Sequence, residues 1–142
     1  MPTKEQIEQI IRELQKILHL QDWQITLYLV CQYEMKDIMK VDHYNHIGCC
    51  KRFPNQKEAQ ISLNIDHSRI EECWYSTVMH EMLHIHTCVL DDIVQNITDN
   101  CGFERKHFFY ESETLNCSIE KIINGIYPVS NFDHILKPDT AK

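Results

Sequence analysis

Residues 68–89 read SRIEECWYSTVMHEMLHIHTCV and predict the central helix of the fold. Ser68 and Glu71 have the spacing of a capping box, which places the start of a helix near Arg69. Apolar side chains then recur at helical spacing and define one buried face: Ile70, Trp74, Val78, Met82, Ile85 and Val89. We therefore predict one long amphipathic helix over residues 69–89.

The sequence before this helix predicts one helix and three strands. Thr3 and Gln6 form a capping box ahead of an apolar repeat, which predicts a helix over residues 4–18. Alternating or β-rich apolar residues predict strands at 23–30, 46–51 and 59–65. The polar stretch 32–45 is predicted to be a loop.

After the central helix, a polar connection is predicted at 91–102, followed by a last helix that ends near Gly125. That helix carries one apolar stripe, formed by Phe108, Leu115, Ile119, Ile122 and Ile126. The order α-β-β-β-α-α predicts an α+β domain with a three-stranded sheet over residues 1–126. Residues 127–142, which are aperiodic and contain two prolines, are predicted to form a C-terminal tail.

Composition limits the function classes. A chain of 142 residues has room for one domain, and its net charge of −7 disfavours nucleic acid as a partner. The longest apolar run is too short to cross a membrane, and the N-terminus does not have the pattern of a signal peptide. The odd number of cysteines, seven, favours reduced thiols. We expect a cytoplasmic protein, a monomer that acts on a peptide or protein.

The central helix contains the motif His80-Glu81-Met82-Leu83-His84, an HExxH pattern. Histidines at positions i and i+4 lie on one helical face, one turn apart, so that both imidazoles can bind a single Zn²⁺. Glu81 then lies to the side, where a carboxylate can accept a proton from water on the metal. This pattern predicts zinc as the cofactor, His80 and His84 as ligands, and Glu81 as the catalytic residue.

A catalytic zinc takes three protein ligands, so a third ligand is expected outside this motif. The candidates lie on the last helix: Glu104, His107, Glu111 and Glu113. If the stripe that contains Leu115 is the buried direction, Glu111 lies about 50° from it and Glu113 about 150° away, toward solvent. We therefore predict Glu111 as the third ligand, with Glu104 and His107 as alternatives.

With these residues, the chain resembles the minimal gluzincins, which are small zinc metallopeptidases of microbial genomes and phages. It is similar also to the SprT-like zincins, whose third ligand is a histidine. The resemblance extends over residues 4–126, but only His80, Glu81, His84 and the acid-bearing last helix are specific. It implies hydrolysis of peptide bonds, with Glu81 as general base and acid.

The predicted function is therefore that of a zinc metalloendopeptidase, with the predicted strand at 59–65 as the edge that holds an extended substrate. Two alternatives remain: a catalytically silent, zinc-stabilised adaptor module, and a protease that acts on DNA-bound proteins. The tail is a further hypothesis. Phe132 and Ile135 could anchor it over the zinc cleft and place Asp133 or His134 at the metal; a C-terminus that packs nowhere is the alternative.

Overall fold

A computed structural model describes residues 1–40, 46–101 and 105–137, with side chains described outside 89–112. It is a small α+β domain with one three-stranded sheet, as the sequence predicts. The helices are α1 (Lys4–Ile17), α2 (Gln32–Met39), α3 (Ile70–Cys101), α4 (Arg105–Ile126) and α5 (Asp133–Leu136). The strands are β1 (Gln24–Val30), β2 (Gly48–Phe53) and β3 (Glu58–Asn64). Short 3₁₀ turns occupy Pro54–Gln56 and Val129–Phe132.

The sheet has the order β1-β3-β2, with β1 parallel and β2 antiparallel to β3. Ile61 of β3 therefore lies between Leu27 of β1 and Cys50 of β2. Because β3 is the central strand, its backbone groups are paired on both sides. The prediction that residues 59–65 form the substrate-binding edge is wrong, and β1 and β2 are the edges of this sheet.

Two helices cover one face of the sheet and a third covers part of the other. The main core joins α1, the sheet and α3 through fully buried side chains: Ile7, Ile10, Leu14, Leu27, Ile61, Leu63, Val78, Met79 and Met82. On the opposite face, Met35 of α2 packs with Val30 and Cys49. Adjacent Cys49 and Cys50 thus point to opposite faces, and Cys50 packs against the main core.

Two segments that the sequence analysis predicted as loops are helical in the structure. The predicted loop at 32–45 contains α2, whose first turn is capped by the Glu34 carboxylate accepting the Cys31 backbone N–H at 2.8 Å. Buried Met35 then fixes this short helix on the sheet. The predicted connection at 91–102 is mostly helical, since α3 continues to Cys101. No glycine or proline interrupts the chain between Val89 and Gly102, so the helix has no breaker there.

The buried face of α4 differs from the predicted stripe. Leu115, Ile122 and Ile126 are more than half exposed, whereas Asn116 is fully buried and Ile119 and Ile123 pack against the core. The apolar repeat was a poor guide because the centre of the buried face is a polar residue. This rotation of the helix decides which acidic side chains of α4 face α3.

The C-terminal segment belongs to the domain and packs away from the HExxH motif. Phe132 and Ile135 are buried in the main core, with the Phe132 ring 5.8 Å from that of Tyr75. The Gln6 amide of α1 donates to the carbonyls of Ile135 and Leu136, at 3.0 and 3.2 Å. Phe132 and Ile135, the two predicted anchors, are thus buried. They pack against α1 and the first turns of α3 and not at the cleft. Residues 127–137 therefore do not line the cleft at the HExxH motif, and residues 138–142 lie outside the described part.

This placement predicts that the tail stabilises the fold. Phe132→Ala is expected to lower the free energy of unfolding by about 3–5 kcal/mol, because it empties a site in the main core. Val129→Ala, in the same turn but more than one-third exposed, is the matched control and should cost less than about 1 kcal/mol. Urea unfolding of the two variants measures both values. Equal stability of the variants would contradict the described packing.

Two expectations from composition concern cysteines and membranes. Among the described residues, Cys31, Cys49, Cys50, Cys73 and Cys117 form no disulfide. Among the described residues, no helix combines the length and apolar character that a transmembrane span requires.

Candidate metal centre

The two histidines of the motif lie side by side on α3. Their Nε2 atoms are 3.1 Å apart, and the rings meet nearly edge to face, with centroids separated by 4.8 Å. This arrangement follows from the i, i+4 spacing in a regular helix. His80 and His84 therefore direct the same ring atom toward one point.

A carboxylate of α4 faces the same point. Glu113 Oε2 is 3.3 Å from His80 Nε2, and Glu113 Oε1 is 3.2 Å from His84 Nε2. Ligands of a tetrahedral zinc at 2.0–2.2 Å are separated by about 3.3–3.5 Å. The donor atoms of the three residues thus have a spacing that fits a single metal ion such as Zn²⁺.

The sequence analysis placed Glu113 on the solvent face and did not choose it as a ligand. Its side chain is 48% exposed, but its carboxylate also faces both histidines. The carboxylate reaches them because Glu113 lies about 60° from Asn116, which is buried on the face of α4 that packs against α3. The predicted third ligand, Glu111, and the alternatives Glu104 and His107 have side chains outside the described part of the structure.

The three side chains influence one another's protonation. The hydrogen bond to Glu113 raises the pKa of His80, and the same bond holds the pKa of Glu113 below its ordinary value. Without a cation, the three residues can form a charged His–Glu network. With a cation, the neutral rings and the ionised carboxylate each present a lone pair, so the donor set fits Zn²⁺.

The second ring nitrogens contact two further residues of α4. His80 Nδ1 lies 3.4 Å from the carboxylate of Glu120. His84 Nδ1 lies 3.2 Å from Nδ2 of the buried Asn116 amide, and Asn116 Oδ1 has no hydrogen-bond partner among the described residues. If Oδ1 faces the ring, it accepts the Nδ1 proton and leaves Nε2 free for a metal. Carboxylate and carbonyl acceptors behind histidine ligands are typical of zinc sites.

Glu81 occupies the floor of the cleft beside this cluster. Its side chain is buried, and burial raises its pKa to about 7, while neighbouring His80 and Arg52 oppose that rise. A carboxyl group with a pKa near neutrality can both accept and return a proton. The sequence predicted this residue and role, and the structure places it in the same cleft as both histidines.

The cleft has a volume of about 360 Å³ and lies between α3, α4 and β2. Its wall on the sheet side is formed by β2, with Gly48, Cys50 and Arg52 among the lining residues. The Arg52 guanidinium donates to the backbone carbonyl of His84 at 2.8 Å. This hydrogen bond links the edge strand directly to the helix that carries the histidines.

Gly48 allows β2 to approach α3 closely. A Cβ atom at this position would lie 2.4 Å from Thr77 Cγ2 and 3.3 Å from Glu81 Oε1. Non-bonded carbon atoms do not approach to 2.4 Å in folded proteins, so a side chain here would force either the Thr77 side chain or the strand to shift. The absence of a side chain at Gly48 therefore fixes the narrow end of the cleft.

We expect Gly48→Ala to lower the free energy of unfolding by about 1–3 kcal/mol, as overpacking does in a tight interior. Thr77→Ser removes the Cγ2 atom responsible for the closest contact, so the double variant should regain most of the loss. Chemical unfolding of the two single variants and the double variant measures this coupling. Additive effects in the double variant would show that this contact is not the cause.

Glu113 was a candidate in the sequence analysis but was ranked below Glu111, whereas Asn116, Glu120 and Arg52 were not identified. Glu113, Asn116 and Glu120 lie at positions i, i+3 and i+7 of α4, so they share one helical face. That spacing was a usable signal for a polar face packed against a metal-binding helix. Arg52 left no comparable signal, since its contact with His84 depends on the pairing of the sheet.

Comparisons with known proteins add no identification. No protein-family description, curated protein or solved structure matches this chain.

Proposed function

We propose that this chain is a zinc-dependent peptidase in which His80, His84 and Glu113 hold the metal. The observation that carries the proposal is the convergence of two imidazole nitrogens and one carboxylate within 3.3 Å, beside a buried glutamate. Two histidines and one acidic residue are a common donor set of catalytic zinc sites, which keep a fourth position open. Glu113 replaces Glu111 in this proposal.

When bound, zinc would lower the pKa of a coordinated water to near 7 and polarise a carbonyl oxygen. Glu81 has the position and the pKa to accept the water proton and pass it to the leaving amine. Glu120 lies against His80 Nδ1, and Asn116, with its Oδ1 turned to the ring, would accept the Nδ1 proton of His84, so that both Nε2 atoms point at the metal. A hydrolytic metal site needs ligands, a proton carrier and residues that support the ligands, and this cleft contains candidates for all three.

β2 is the part of the cleft that suits a peptide. In the described residues it pairs with β3 on one side only, and it lines the cleft next to Glu81. An extended chain can add to such an edge through main-chain hydrogen bonds, which are largely independent of its side chains. This geometry favours a peptide or an unfolded protein segment as substrate.

The proposal is tested with zinc-loaded protein and a mixture of unstructured peptides, with new termini identified by mass spectrometry. We expect cleavage that is lost after chelation and restored by one equivalent of zinc per chain. Binding of one zinc without any cleavage would favour the adaptor alternative. The net charge of −7 gives no support to the DNA-associated alternative, which predicts cleavage only when the substrate is bound to DNA.

A further inference from the structure

The ring of His80 faces a second set of possible metal ligands on the side away from His84. Glu120 Oε2 lies 3.4 Å from His80 Nδ1, and Cys117 lies one turn before Glu120 on α4. The donor atoms of His80, Cys117 and Glu120 all lie within 4.8 Å of one another. The two nitrogens of one imidazole therefore face two different donor sets.

The chemistry of the second set differs from that of the first. Its thiolate is a soft ligand, which favours cations such as Cd²⁺ over harder ones, whereas the first set contains only imidazole and carboxylate. Metal–ligand bonds of 2.0–2.3 Å would bring the donors to about 3.5 Å from each other. The exposed Cys117 side chain can rotate by the roughly 1 Å that this contraction requires.

We propose that His80, Cys117 and Glu120 form a second cation site, which takes a thiophilic divalent cation and competes with the hydrolytic site for His80. Competition follows from the ring itself, because a neutral imidazole carries one lone pair and one N–H. A cation on Nδ1 leaves the ring proton on Nε2. The protonated Nε2 has no lone pair for the metal of the hydrolytic site. Each cation therefore weakens binding of the other by the same factor.

The probe is Cd²⁺, added to metal-free, full-length protein kept reduced by a phosphine. We expect the ultraviolet charge-transfer band of a cadmium thiolate in the wild type, and its loss in Cys117→Ser. The matched control is Cys31→Ser, a partly exposed cysteine before α2 whose replacement should leave that band unchanged. A band that is the same in wild type and Cys117→Ser would overturn the proposed site.

Competition is measured by adding Cd²⁺ to zinc-loaded protein in the presence of a chromogenic zinc indicator. We expect zinc release in step with the thiolate band, and at least tenfold more Cd²⁺ for the same release in Cys117→Ser. Equal release in both proteins, or a band that grows while zinc stays bound, would overturn the competition.

Glu113→Gln separates this site from the proposed peptidase site. Glu113 does not belong to the second donor set, so this variant should retain the thiolate band even where zinc binding is lost. A wild type that shows the band but binds no zinc would contradict the proposed peptidase site alone.

Discussion

Replacing Glu113 with glutamine is expected to lower the zinc affinity more than 100-fold. The substitution keeps the size of the side chain but exchanges an ionised ligand for a neutral amide, at a position 3.2–3.3 Å from both histidine Nε2 atoms. Loss of a residue that only supports a ligand costs about 10- to 100-fold, and loss of a ligand should exceed that range. Competition with a chromogenic chelator measures the affinity.

The control is Glu111→Gln, which makes the same change two residues earlier on α4. The sequence analysis predicted the opposite ranking, with Glu111 as the ligand and Glu113 on the solvent face. If Glu111→Gln removes the metal and Glu113→Gln does not, the described geometry does not represent the zinc-bound protein. Loss of zinc on substitution of Glu104 or His107 would contradict the Glu113 assignment in the same way.

The part of the fold that the sequence predicted depends on local rules. The capping box at Thr3 is present, with both reciprocal hydrogen bonds to Gln6, and α1 follows it over almost the predicted residues. The predicted strands correspond to β1, β2 and β3, and every strand end agrees within two residues. In these elements, the periodicity of apolar residues and the capping residues indicate the same structure.

The part that was wrong depends on contacts between distant residues. Strand order cannot be derived from periodicity, so the central position of β3 and the edge position of β2 were not predicted. The rotation of α4 was wrong for a related reason. Asn116 is fully buried because it meets His84, 32 residues earlier, and a hydrophobicity pattern counts such a residue as exposed.

The candidate site shows the same division. His80, Glu81 and His84 could be predicted because one helical turn brings them together without help from the rest of the chain. The proposed third ligand comes from another helix, and a rotation of that helix by one residue, or about 100°, changes which side chain faces the histidines. For this reason the sequence analysis chose Glu111, whereas the geometry of α4 favours Glu113.

Glu81→Gln is expected to lower kcat by about 10²- to 10⁴-fold, which is the usual contribution of a general base. Glutamine has nearly the same shape as glutamate but cannot accept a proton from water, so the buried position beside the histidines is kept and its function is removed. KM should change little, because Glu81 is buried and glutamine has nearly the same shape, so the edge of β2 beside it is kept. Steady-state cleavage of a peptide identified in the mixture assay measures both constants.

Zinc content and fold decide how that result is interpreted. Glu81 is not among the proposed ligands, so the variant should still bind one zinc per chain and should unfold as cooperatively as the wild type. Glu72→Gln, an exposed position in the first turn of α3, is the matched control and should leave cleavage unchanged. A fully zinc-loaded Glu81→Gln variant that cleaves at the wild-type rate would show that another group takes the proton, since the two side chains differ only in that capacity.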